Sequence, residues 1–138
     1  SNNFLVAESL MLKVISSAPQ FHTAKNYLAY MYAEKNVKIG EAEKLILGAL
    51  AMDSLNSAYI DTYGWILYRK GTSYLDDALM WLEKADLLSN GKDTEIHEHL
   101  AVVYTALGMP DKARIRWQKV LELEPDNSRA KDELSKLD

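Results

Sequence analysis

The chain has 138 residues, 48% of them hydrophobic and 26% charged, a balance that excludes a disordered or membrane-spanning chain. Its formal net charge of −4 lacks the basic footprint of a nucleic-acid binder. The absence of cysteine excludes a disulfide framework, a thiolate metal site and a cysteine nucleophile, and three prolines with six glycines are too few turn residues for a many-stranded β fold.

Long helices are therefore expected, and the apolar spacing predicts them over about 4–17, 21–35, 40–52, 57–70, 74–88, 94–107, 111–123 and 128–137. The first residues, Ser1 to Phe4, lack the basic start and apolar run of a signal peptide, and Ser1-Asn2 reads as a cloning remnant. Leu5, Leu10, Met11 and Leu12 make the leading helix strongly apolar, which suits a chain that begins partway through a repeat.

Small residues used as rulers reveal that repeat. Ala29, Gly64 and Ala101 recur at steps of 35 and 37 residues, and Ala42, Ala78 and Ala113 at steps of 36 and 35. The second series is followed four residues later by Ile46, Leu82 and Trp117, and then by Ala49, Ala85 and Val120. Ala7, Met11 and Val14 have the same spacing. Intervals of three and four place these side chains on one helix face, so each unit reads as two amphipathic helices joined by a turn.

The turn residues agree with this division. Gly71 and Gly108 stand where the first helices of their units stop, and Pro110 suits the first turn of the next helix. Ser73 with Asp76 is an expected capping pair, and Asp76-Asp77 favours the positive end of a helix dipole. In the last helix Ala130, Leu134 and Leu137 form the apolar stripe of a solvating cap.

A pattern of bulky, small and bulky residues at a period of about 34 resembles the tetratricopeptide repeat. The match is carried by Leu28, Ala29 and Tyr32; by Ala42, Ile46 and Ala49; by Tyr63, Gly64, Leu67, Gly71, Ala78, Leu82 and Ala85; and by Leu100, Ala101, Tyr104, Gly108, Ala113, Trp117 and Pro125. Ser54 and Asn90 depart from it by standing where the repeat has proline. The resemblance implies an all-α fold, an α-solenoid of antiparallel helix pairs with about eight helices. It implies one domain over 1–138: the second helix of an incomplete repeat (1–20), repeats over 21–55, 56–92 and 93–127, and a capping helix (128–138). The stretches 58–68, 95–100 and 111–117 look like the C-terminal part of bacterial cell-envelope tetratricopeptide proteins, which implies a periplasmic or outer-membrane-associated location, with the cytoplasm as the alternative.

In that family the first helices of successive units line a concave groove. Carried over by position, the groove receives Asn26, Tyr27, Tyr30 and Glu34 from the first complete unit. Asp61, Thr62, Trp65 and Arg69 come from the second, and Glu95, Glu98, His99 and Val102 from the third. Tyr27 and Trp65 are expected to be exposed there, because aromatic side chains among polar groups suit an extended peptide. Family members that grip a C-terminal carboxylate use Lys, Asn and Arg at positions held here by Asn26, Tyr30, Thr62, Glu95 and His99. Glu95 in place of a cation repels a carboxylate and disfavours that use.

Other chemistries find little support. His97 and His99 lie about 200° apart on a helix and cannot share one ion. Glu95 and His99 can, but the sequence shows no third ligand, so no metal and no cofactor are expected. Trp117 is expected in the core and Trp81 on the convex side, and Lys112, Arg114, Arg116 and Lys119 read as a solvated basic face. With no Gly-rich phosphate loop or nucleophile elbow, the chain reads as a non-enzymatic adaptor for a protein or peptide, with self-association within a larger envelope protein as the alternative.

Overall fold

The structure, a computed structural model, describes residues 2–138. Among them the chain forms eight α-helices and no strand: α1 (Asn2–Ser17), α2 (His22–Lys35), α3 (Ile39–Met52), α4 (Ser57–Lys70), α5 (Leu75–Leu88), α6 (Thr94–Ala106), α7 (Pro110–Leu123) and α8 (Ser128–Leu137). None of them is long and apolar enough to cross a membrane.

Local chemistry sets the helix ends. Asn56 accepts from the Tyr59 N–H at 3.1 Å, Asp93 from the N–H groups of Glu95 and Ile96, and Asn127 from the Ala130 N–H, so each side chain satisfies donors that a first turn leaves free. Pro110 opens α7, and Gly108 turns the preceding chain at φ 73°. The expected Ser73 cap is not formed. The residues after Gly71 instead make a 3₁₀ turn over Thr72–Tyr74, closed by the Tyr74 N–H on the Gly71 carbonyl at 3.0 Å. Ser73 is thereby inside the turn rather than before α5, while Asp76 and Asp77 do occupy the first turn of that helix.

Helices pair as α2 with α3, α4 with α5 and α6 with α7, and the pairs stack through α3 on α4 and α5 on α6. Every member of the two small-residue series is fully buried apart from Gly64, which is also inside. At Gly64 the approach is closest: a Cβ added there would meet Leu82 Cγ at 2.8 Å and the Ala78 carbonyl at 3.3 Å. Trp117 is buried beneath the Arg129 guanidinium as expected, and half-buried Trp81 packs edge-on to Tyr63.

Two polar ties complete the stack. Buried Glu8 on α1 accepts from the Tyr32 hydroxyl at 2.6 Å and the Lys38 ammonium at 2.7 Å, which hold its carboxyl below the usual range. The basic run on α7 is only partly a solvated face, because Arg116 turns inward to Glu83 and Asp86, both at 2.9 Å. It also donates to His97 Nδ1 at 3.1 Å, so His97 carries its proton on Nε2 and gives it to the Gly91 carbonyl. Arg114 meanwhile binds Asp138 and the Leu137 carbonyl of α8.

The Gly64 contact yields a direct test. Gly64→Val forces Leu82 and the α5 backbone away from α4 and should cost about 1–3 kcal/mol of stability, read as a lower denaturation midpoint. An unshifted midpoint would show that the helices do not meet through this position.

Candidate functional site

The first helices α2, α4 and α6 touch one another along one face, α2 with α4 and α4 with α6. This face carries the positions assigned to the groove, but they differ sharply in access. Tyr27 is 54% exposed, Glu34 and Glu95 are exposed, and Asn26 and Tyr30 are half-buried. Asp61, Thr62, Trp65 and His99 are buried.

The expectation of an exposed Trp65 is therefore corrected: only 4% of it is accessible. Its ring is sandwiched between His99, stacked at 4.1 Å, and Tyr68 at 4.6 Å, with the Arg69 guanidinium 5.0 Å from its centre. Neighbouring first helices have absorbed the aromatic surface that the groove was to present. Arg69 is likewise committed, its Nε donating to the Ala33 carbonyl at 2.8 Å and its Nη2 to that of Glu34, where it caps the end of α2. Thr62 donates to the Ala58 carbonyl of its own helix. Glu98 accepts from Asn127, and Val102 packs between two core clusters. Tyr27, Tyr30, Glu34, Asn26 and Glu95 remain as open or half-open groove side chains, with buried Asp61 at their base.

His99 pairs with Asp61, at 2.8 Å between Nδ1 and Oδ1, and not in the first place with Glu95. Its Nε2 lies 3.9 Å from Glu34. Asp61, Glu95 and His99 place one ligand atom each within 4.8 Å of one another, so the third ligand that the sequence did not reveal is Asp61, 38 residues away from His99 and on another helix. Burial disfavours a charge on His99, but the carboxylates of Asp61, Glu95 and Glu34 outweigh it and hold the imidazole pKa above its ordinary 6.5. Burial likewise pushes Asp61 upward against the pull of His99. Glu95 is raised by its partial burial and by Asp61 and Asp93, while His99 and the Tyr30 hydroxyl draw it down. Tyr30, half-buried beside Glu95 and Glu34, is pushed well above its usual range.

Two openings share Tyr27 and Tyr30, the smaller on this face between α2, α4 and the start of α6, the larger between α1 and α2. One, of about 220 Å³, is lined by Asn26, Asp61, Thr62, Asp93 and Glu95. The other, of about 480 Å³, is bounded by Phe4, Ala7, Met31, Glu34 and Lys35. Nothing in the spacing linked Asp93, Phe4 or Met31 to the groove.

The charge cluster has a definite pH signature. Because the folded pKa of His99 lies above the unfolded value, its contribution to stability is complete below about pH 6.5 and is lost as pH rises through the folded value. The denaturation midpoint should therefore fall as pH rises above about 6.5, and His99→Gln should flatten that slope. An equal slope in the variant would place the proton uptake elsewhere.

No family model matches the chain. A TPR repeat-containing protein of Pseudomonas aeruginosa is 35% identical over 99 residues, covering 72% of this chain. The match spans only 16% of that relative's length. A thermophilic TPR protein of Thermus thermophilus superposes with a TM-score of 0.84 at 22% identity, over 99% of this chain and 73% of that one. The first TPR of Spaghetti (RPAP3), solved bound to the HSP90 peptide SRMEEVD, superposes at 0.74 with 23% identity, over 86% of this chain and 93% of that one. With the period, the buried small-residue series and the stacked helix pairs, these similarities establish that the chain belongs to the tetratricopeptide-repeat family.

Proposed function

We propose that the chain is an interaction scaffold whose concave face docks an extended segment of a partner protein. The observation that carries this reading is the pair of openings that share Tyr27 and Tyr30, the smaller between α2, α4 and α6 and the larger between α1 and α2. Both rings supply large contact area at low conformational cost, and acceptors line the smaller opening. A structural neighbour solved with a peptide supports a docking role for the fold. The acidic sequence of that peptide does not suit a groove bearing Asp61, Asp93 and Glu95, so the partner segment differs in chemistry. Resemblance of the stretches over α4, α6 and α7 to envelope proteins supports a bacterial envelope location, which cell fractionation checks.

The groove is tested with peptides selected from a random display library. Trp65 is unsuitable for substitution because it is buried, whereas Tyr27 and Tyr30 are accessible. Tyr27→Ala with Tyr30→Ala should weaken selected peptides by tenfold or more, about the loss when two aromatic anchors are removed. Unchanged affinity, measured by fluorescence polarisation, rejects the concave face.

A second reading, self-association, is favoured by the outer face of α1, where Leu5 is 58% and Leu12 46% exposed. Sedimentation velocity over a concentration series should then show a dimer that Leu5→Lys with Leu12→Lys dissociates. A monomer at every concentration would reject it.

A further inference from the structure

We propose that the smaller opening between α2, α4 and α6 is a subsite for one basic side chain, arginine or lysine, of the docked segment. This rests on the concave face being the docking surface and names the chemistry of what it holds.

The argument is an account of donors and acceptors. Of the side-chain donors at or beside the opening, the Thr62 hydroxyl is committed to the Ala58 carbonyl and His99 Nδ1 to Asp61. What remains is acceptor capacity on Asp61, Asp93 and Glu95. Independently of these carboxylates, the Asn26 Oδ1 atom is buried at the same opening and has no hydrogen-bond partner. A buried acceptor left unmatched costs free energy until a donor arrives. The occupant that satisfies this set must bring several donors, and a guanidinium brings five where an ammonium brings three.

Charge selects the same occupant. Asp61, Glu95 and Glu34 act on one imidazole, and Asp93 adds a further carboxylate to the lining. The nearest guanidinium, Arg69, is held away by the α2 carbonyls and the rings of Trp65 and Tyr68. An anionic side chain is repelled, and a neutral one leaves the carboxylates unneutralised. The opening, about 220 Å³, admits one long side chain, and Tyr27 and Tyr30 at its wall offer ring faces to a cation or its methylene stem. Asp61, Glu95 and His99 also approach a cation-binding arrangement. The unmet Asn26 acceptor, however, lies outside that trio.

The test uses the intact chain and a random heptapeptide display library, selected with a chelator present. Enriched peptides should carry Arg or Lys at one fixed position. The best of them should bind Glu95→Lys on the order of tenfold more weakly than the parent, whereas Glu122→Lys, an equal charge change on α7, should leave it unchanged. Replacing the peptide's basic residue by Gln should weaken binding to the parent equally and remove the difference between parent and Glu95→Lys. Should Glu95→Lys lose its helical circular-dichroism melt, Glu95→Gln provides the same comparison with a smaller effect. Peptides that depend on Tyr27 and Tyr30 but show no basic preference overturn the subsite and leave the groove standing. Peptides indifferent to both tyrosines overturn the groove reading itself. Calorimetric binding of Zn²⁺ alone, abolished by His99→Ala and accompanied by no basic preference, makes the cluster a metal site and also overturns the proposal.

Discussion

The close approach of α4 to α5 at Gly64 is the constraint on which the rest of the stack depends. No side chain longer than hydrogen fits there while Leu82 and the Ala78 carbonyl keep their places. Ala29 and Ala101 do the same work one unit earlier and later, both fully buried. The pairs stack through α3 on α4 and α5 on α6, and their first helices α2, α4 and α6 come to share a face. A single helix pair exposes too much apolar surface to persist alone, so the shared face exists only because the pairs bury one another.

That same stacking decides which groove positions stay open. On α4, flanked by a first helix on each side, Trp65 is covered by His99 of α6, and Arg69 reaches across to the carbonyl end of α2. Asp61 is covered as well, through its bond to His99. The middle of the groove is thus a seam of aromatic and ionic contacts between first helices rather than an empty wall. Openness shifts to α2, where Tyr27 and Tyr30 have no first helix beyond them in the described residues.

The architecture was legible in the sequence because it is written in residues that act locally and repeat. Alanine or glycine at fixed intervals, glycine at helix ends, and Pro110 each impose a conformation or an approach distance without help from distant positions. The groove assignments were legible only as positions on a helix face. Whether a side chain at such a position is open depends on its neighbour about one period away, which is why Trp65 was misplaced and Asp61 was not recognised as the partner of His99. The Ser73 cap failed for a related reason: loop length, not the capping residue, decided where α5 begins. Arg116 shows the limit of reading charge by runs, since its partners Glu83 and Asp86 lie on the preceding helix pair.

Buried charge is what would make the proposed subsite selective. Asp61 has little access to solvent, and its partner His99 also faces Glu34 and feels Glu95, so one imidazole is shared among three carboxyl groups. A buried imbalance of this kind is costly to the fold and is tolerated where the stack leaves one side open to an approaching cation. Its field rejects an acidic segment before any contact is made, and repulsion of the wrong partner discriminates as effectively as attraction of the right one. A tetratricopeptide stack can therefore reverse the charge it accepts without altering a packing residue. In the proposed subsite that reversal would reside in groove carboxylates such as Glu95, while buried Ala101 and Gly64 belong to the packing that brings α4 and α6 together.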